Sequence, residues 1–213
     1  MTDKHSHYFD KIPVTAHDMA TTEAMWEGVQ FVFRTDSSVF SRHRVDPGTD
    51  LLVRTVLAEQ KDRPLNTLDL GTGVGIMAIA LAKLRPSFTV TGCDINSRAV
   101  ELATHNAEHE GMSSRTRFVE ADGVPGDAIF DLVLSNPPIR AGKETVYRLF
   151  RQVSSRLTPD GVFYVVIRVK QGAATAKREL QLYFEAVTTV ARAKGYHILK
   201  ACHPKHREEQ KDE

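Results

Sequence analysis

Residues 66–94 read NTLDLGTGVGIMAIALAKLRPSFTVTGCD. The run opens as an apolar strand, turns on Gly71, Gly73 and Gly75, continues with apolar groups at helical spacing, and closes as a second apolar strand ending at Asp94. A strand, helix and strand joined this tightly predict a parallel pair with a right-handed crossover. Glycine has no Cβ, so the turn lets backbone come close to a ligand. The helix starting near Gly75 aims its free N–H groups and positive dipole end at the same place. The spacing is GxGxG followed by Ile76, which departs from the GxGxxG of dinucleotide sites. Asp69, just before the turn, would repel a pyrophosphate but suits an ammonium, directly or through water.

The same alternation continues outward. Strands are predicted in 116–121 (TRFVEA), 129–135 (IFDLVLS) and 161–169 (GVFYVVIRV), with helices in 98–110, 144–157 and 173–184. Pro159, Asp160 and Gly161 mark the turn before the strand at 162–169. The last two strands, 186–192 and 196–202, are separated only by Ala193, Lys194 and Gly195, which permits a hairpin but no parallel crossover. The fold class is therefore α/β, a doubly wound, mostly parallel sheet closed by a C-terminal antiparallel hairpin. Ahead of it, residues 28–41 alternate apolar and polar around Thr35, Asp36, Ser37 and Ser38 and predict an N-terminal β-hairpin. Residues 49–60 predict a helix capped by Thr49 or Asp50. Residues 1–13 and the charged tail 205–213 are expected to be loosely held ends of a single domain with its catalytic core at 49–202.

A chain of 213 residues buries a core of its own and needs no staple. Hydrophobic residues make up 41% and charged residues 26%, as in ordinary soluble domains. The net charge of +1 means that any nucleic-acid surface must be a local patch. Cys93 and Cys202 lie far apart without metal or redox spacing, and Cys93 reads as a buried thiol in a cytoplasmic protein. The histidines show no ligand spacing, so no metal is expected. The polar start carries no secretory signal, and no apolar run is long enough to span a bilayer.

The strand ends carry the chemistry. Asp94 can accept hydrogen bonds from both hydroxyls of a ribose, or merely cap the next helix. Asp122 can accept from an adenine amino group, with Gly123 letting backbone come near. The strand 129–135 then runs into Asn136, Pro137, Pro138 and Ile139. Two prolines fix two φ angles and remove two donors, and the first keeps Asn136 out of helical geometry. This stiff corner stands at the carboxyl end of a strand, where open α/β sheets bind ligands. The Asn136 side-chain oxygen and the Pro137 carbonyl can together hold the two N–H groups of a planar amine and aim its lone pair at an electrophile. An ordinary Asn-Pro turn would not account for the second proline or for the buried strand feeding it. Ser135 makes room beside the corner or simply ends the strand.

The order LDLGTGVG, CDIN, EADG and SNPPI resembles that of the class I S-adenosylmethionine-dependent methyltransferases. More narrowly, NPPIRAGK at 136–143, KQGA at 170–173, GYHIL at 195–199 and VFSRHRVDPGTDLL at 39–52 resemble the small single-domain relatives of the ribosomal RNA guanine-N2 methyltransferases, the RsmC-like group. The likeness spans roughly residues 6–202. It implies a seven-stranded sheet with the hairpin inferred above. It also implies S-adenosyl-L-methionine held by Asp69, Gly71, Thr72, Gly73, Gly75, Asp94, Ile95, Asp122, Gly123 and Asn136. The acceptor amine would be positioned by Asn136, Pro137, Pro138 and Ile139. Many such enzymes carry an aromatic residue where this chain has Ile139, an apolar pad without a π-face, and Phe40 can supply a ring instead. Arg140, Lys143 and Lys170 flank the mouth and can meet RNA phosphates, or form a solvated rim.

The resemblance implies methyl transfer to guanine N2 of ribosomal RNA by a monomer acting on RNA or a ribosomal subunit. Adenine N6 and protein glutamine N5 present the same planar NH₂, and the corner does not discriminate among them. A non-catalytic RNA-binding or cofactor-sensing module is the alternative of a different class.

Overall fold

The computed structural model describes residues 19–36, 44–137 and 142–205. The elements are β1 Met19–Trp26, β2 Val29–Asp36, α1 Pro47–Glu59, β3 Leu65–Leu70, α2 Ile76–Leu84, β4 Phe88–Asp94, α3 Ser97–His109 and β5 Thr116–Glu120. They continue with β6 Phe130–Ser135, α4 Lys143–Ser155, β7 Leu157–Arg168, α5 Ala173–Tyr183, β8 Phe184–Ala193 and β9 Tyr196–Pro204.

Seven strands form one sheet in the order β5-β4-β3-β6-β7-β9-β8, and β1 and β2 form a separate pair. β5, β4, β3, β6 and β7 run parallel. β9 inserts antiparallel between β7 and β8, as a two-residue connection demands. The strand order reverses between β3 and β6, so their carboxyl ends open a crevice at the switch point.

Alternation along the strands explains the two-sided core. Leu132 and Leu134 of β6 face one cluster with α1, α2 and α3 residues such as Val56, Ile79 and Leu102. Val133 faces the other with Leu149, Phe150 and Val153 of α4 and Leu180 of α5. The buried residues of α4, Val146, Leu149, Phe150 and Val153, recur at helical spacing. Each such side chain contributes about 1.5–3 kcal/mol by leaving water. No helix among the described residues is long and apolar enough to cross a membrane.

Four details differ from the sequence-based expectation. The N-terminal hairpin turns at Glu27 and Gly28, with φ of 48° and 78°, and Trp26 pairs with Val29. Thr35 and Asp36 end β2 instead of forming the turn, and residues 37–43 lie outside the described residues. Two consecutive positive φ angles make the primed turn that matches strand twist; Glu is an uncommon first residue for it, which hid the signal. Second, α1 starts at Pro47 and is capped by Asp46, not by Thr49 or Asp50. Third, Leu157 already pairs with Phe130, so residues 158–161 bulge out within β7 before the ladder resumes at Val162. The last turn is Lys194-Gly195 alone, φ 48° and 80°, with Ala193 still in β8.

Candidate active site

Asp69 lies beneath the glycine turn with no exposed surface. Its Oδ2 accepts from Thr72 Oγ1 at 2.8 Å and from Ala78 N at 3.0 Å, lashing the turn to the first turn of α2. Its Oδ1 has no partner among the described residues. Burial outweighs those two hydrogen bonds, and the nearby Asp94 charge adds to it, so the carboxyl is pushed up to about 7. The turn thus stands between Asp69 and any ligand above it.

Gly71 and Thr72 both donate their N–H to the Cys93 carbonyl at 2.9 Å, tying the turn to the end of β4. Gly71, at φ 77°, has nothing within 4 Å of where a Cβ would stand. Gly75, at φ 86°, is different: a Cβ there would meet Ile79 Cδ1 at 3.0 Å and Ala103 Cβ at 3.1 Å. Gly71 therefore faces open space, whereas Gly75 lets α2 and α3 close on each other. Gly73 N donates to Asp94 Oδ2 at 2.9 Å, and Asn96 N donates to Asp94 Oδ1 at 3.0 Å. The cap of α3 is Asn96, whose side chain accepts from Arg98 N. Asp94 is thus not the helix cap. Ile95 follows it, half-buried. Cys93 is buried, and desolvation raises its thiol to about 12, an inert packing group.

Asp122 is 59% exposed and pairs through Oδ1 with Arg148 of α4 at 2.6 Å. Gly123 has φ 109°, and a Cβ there would fall 2.1 Å from Gln152 Oε1. The close backbone approach expected at Gly123 is thus made first to Gln152, which also accepts from Val124 N at 3.3 Å.

Ser135 pairs with Leu70 across the ladder, and its Oγ donates to the Leu70 carbonyl at 2.8 Å. The residues that follow, Asn136 and Gly71, therefore leave adjacent parallel strands side by side, about 4.8 Å apart. Asn136 Nδ2 donates to Thr49 Oγ1 at 2.9 Å and to Asp46 Oδ2 at 3.3 Å. Both N–H groups of the carboxamide are turned toward α1. Pro137 is buried beside it. Pro138, Ile139 and Arg140 lie outside the described residues, as does Phe40. Lys143, the first residue of α4, and Lys170, in a short 3-10 turn after β7, are exposed at the same sheet edge.

Sequence reasoning missed the α1 cap and Tyr196. Asp46 accepts from Gly48 N, Thr49 N and the Tyr196 hydroxyl. The signal was present: Asp followed by Pro marks a helix start, with proline in the first turn. Tyr196 offered no comparable signal, because its partner is 150 residues away. Arg168, whose guanidinium lies 5.7 Å above the Tyr196 ring, and Lys194 bring two further exposed cations to this mouth.

Known proteins share this architecture. The Bacillus subtilis (strain 168) protein YbxB, itself uncharacterized, is 35% identical over 198 residues, covering 92% of this chain and 97% of that protein. Release factor glutamine methyltransferase of Lactococcus lactis subsp. lactis (strain IL1403) is 33% identical over 156 residues, covering 60% of this chain and 56% of that protein. Ribosomal RNA small subunit methyltransferase C of Escherichia coli O1:K1 / APEC is 36% identical over 117 residues, covering 53% of this chain and 32% of that protein. The chain thus spans only a third to a little over half of the two named enzymes. The T. thermophilus 16S rRNA N2 G1207 methyltransferase, solved with AdoMet and guanosine, has the same fold. Its TM-score is 0.77 at 24% identity, over 89% of this chain and 52% of that one. The model of the methyltransferase small domain matches residues 30–200, so the chain belongs to the methyltransferase small domain family.

Proposed function

We propose that the protein transfers a methyl group from S-adenosyl-L-methionine to an exocyclic amine, guanine N2 of ribosomal RNA. The residues at the turn fit such a cofactor. Gly71 leaves open space above backbone, and Asp94 stands at the strand end where a ribose would lie. Thr72, Gly73, Gly75 and Ile95 shape that cradle. Asp122 and Gly123 would border the adenine, with Asp122 keeping one oxygen beyond its pair with Arg148.

The observation that carries the reading is the orientation of Asn136. Its NH₂ is spent on α1, so its oxygen is the group left for an acceptor. That oxygen and the Pro137 carbonyl then accept the two N–H groups of the target amine, favouring a pyramidal nitrogen whose lone pair points along the crevice. When bound, the cofactor would supply an electrophilic methyl to the lone pair that Asn136 and Pro137 aim, with the C–S pair returning to sulfur and the amine proton passing to water. Positive charge developing on nitrogen makes that proton acidic, so no strong base is needed. Pro138 and Ile139 would complete the corner, with Phe40 and the cations Arg140, Lys143 and Lys170 on the substrate side. Exposed Arg168 and Lys194 support an RNA acceptor despite the net charge of +1.

The likeness to release factor glutamine methyltransferase favours a second reading, glutamine N5, because an amide presents the same NH₂. Methyl-tritium transfer to ribosomal subunits, naked ribosomal RNA, DNA and release factor separates them. Label in RNA that digests to N2-methylguanosine is expected. Label confined to release factor would overturn the RNA reading. Asn136→Ala should keep S-adenosylmethionine affinity and lower turnover by roughly 10²-fold or more.

A further inference from the structure

We infer that the N-terminus of α1 sets which atom of the Asn136 carboxamide faces the acceptor, making Asp46 and Thr49 positioning residues for methyl transfer. The inference rests on the role proposed for Asn136. A carboxamide has two orientations that differ only by exchange of O and NH₂, and only the one with oxygen outward can accept from an amine. Asp46 decides between them. Its carboxylate is an acceptor only, and its Oδ2 lies 3.3 Å from Asn136 Nδ2. The flipped amide would set its oxygen against the Asp46 carboxylate, whereas the Thr49 hydroxyl, able to donate or accept, anchors the carboxamide at 2.9 Å in either orientation. The carboxylate is itself held on three sides: by Gly48 N at 2.8 Å, by Thr49 N at 3.1 Å, and by the Tyr196 hydroxyl, which donates to Oδ1 at 3.1 Å.

Gly48 permits the arrangement. A Cβ there would come within 2.8 Å of both Asp46 Oδ2 and Tyr196 Cδ1. The cap therefore does two jobs with one carboxylate. It satisfies orphan N–H groups at the start of α1, and it polarises the carboxamide of a residue 90 positions later. Thr49 is buried within the first turn of the helix, so little water competes for its hydroxyl. Neither residue touches the acceptor; both act through Asn136.

Thr49→Val keeps the shape and removes the hydroxyl. The first measurement needs no acceptor: the side-chain NH₂ resonances of Asn136 in the cofactor-free protein, assigned by their loss in Asn136→Ala. In the wild type these protons should exchange slowly. In Thr49→Val they should exchange at least tenfold faster while the backbone spectrum is preserved, and Thr49→Ser should restore them. The second measurement is turnover on whichever acceptor the wild type labels. Thr49→Val should lower kcat about tenfold, the weight of one orienting hydrogen bond, with S-adenosylmethionine affinity unchanged within twofold and KM little altered. Thr49→Ser should again recover it. Wild-type exchange of the Asn136 NH₂ in Thr49→Val, or an unchanged kcat beside altered exchange, overturns the inference. If the wild type labels protein and not RNA, the guanine reading fails and the clamp is still judged, on glutamine and on the resonances.

Discussion

Asp69 stands out among single residues, because an acid without exposed surface occupies the strand end that carries the glycine turn. Burial raises its carboxyl from 3.8 to about 7. The folded protein therefore holds this proton more tightly than the unfolded chain. Between those two values the unfolded chain has released the proton and the folded one has not, so stability falls as pH rises. The loss is on the order of 4 kcal/mol across the window and is complete above about pH 7. Asp69→Asn should remove that slope, since an amide oxygen still accepts from Thr72 and Ala78 and carries no charge. Urea unfolding at several pH values between 4 and 8 measures it, and parallel profiles for wild type and variant would contradict the assignment. Gly71 and Gly75 separate folding from binding in the same turn. Gly75→Ala must push against Ile79 and Ala103 at positive φ and should cost about 1–3 kcal/mol of stability. Gly71→Ala meets no protein atom and should cost only about 1 kcal/mol for its φ. Its methyl projects into the space proposed for the cofactor, so calorimetry should show S-adenosylmethionine affinity falling tenfold or more. An unaltered affinity would move the cofactor away from Gly71.

At the level of elements, a side chain on α3 makes the central polar attachment of the N-terminal hairpin. Asn106 is fully buried, accepts from Arg34 N at 2.8 Å, and donates to the Arg34 carbonyl at 3.0 Å and the Val74 carbonyl at 2.9 Å. It joins β2 to the glycine turn. Glu110 at the end of α3 adds a bond to Val32 N, and Phe31 and Phe33 bury themselves beside them. Asn106→Ala leaves three backbone groups unpaired and should destabilise the protein by about 3 kcal/mol or more. Hydrogen exchange should quicken first at Arg34 and its β2 neighbours while β3 and β4 keep their protection. Uniform acceleration across the sheet would mean the hairpin is not a separate unit. This attachment was illegible in the sequence, where Asn106 is one polar residue in the helical run 98–110. The β-hairpin itself was legible as alternation, but its turn was not, because Glu27-Gly28 lacks the Asn or Asp that advertises a primed turn. Helices and parallel strands were readable because periodicity and glycine turns are local signals. The placing of Asp94 and Asn136 at strand ends was readable, because such positions in a parallel sheet follow from topology. Asp46, Tyr196, Arg148 and Gln152 act across 26 to 150 residues, a separation that no local pattern encodes.

For the whole molecule, the charge balance decides how the RNA acceptor proposed above would be held. A net charge of +1 gives little long-range attraction, so affinity must come from cations gathered at the mouth of the crevice. The topology gathers them: Lys143 starts α4 after β6, Arg168 ends β7 and Lys170 follows it in the 3-10 turn, and Lys194 turns between β8 and β9, whose Gly195 carbonyl accepts from Val169 N. Other cations are committed elsewhere, Lys83 to Glu110, Arg98 to Asp36 and Lys200 to Glu59. If the mouth tracks a single-stranded backbone, each cation removed from a phosphate should lower the slope of log affinity against log salt by about 0.7. Lys143→Ala with Lys170→Ala should therefore weaken binding to a ribosomal RNA fragment and flatten that slope by about 1.4 in total, while leaving S-adenosylmethionine affinity alone. Lys83→Ala, with its cation on the far side of α2 and already paired, is the control and should leave the slope unchanged. Fluorescence anisotropy over a salt series reads both. A slope that survives the double substitution would place the phosphate track on another face and leave the crevice to recognise its target by the amine alone.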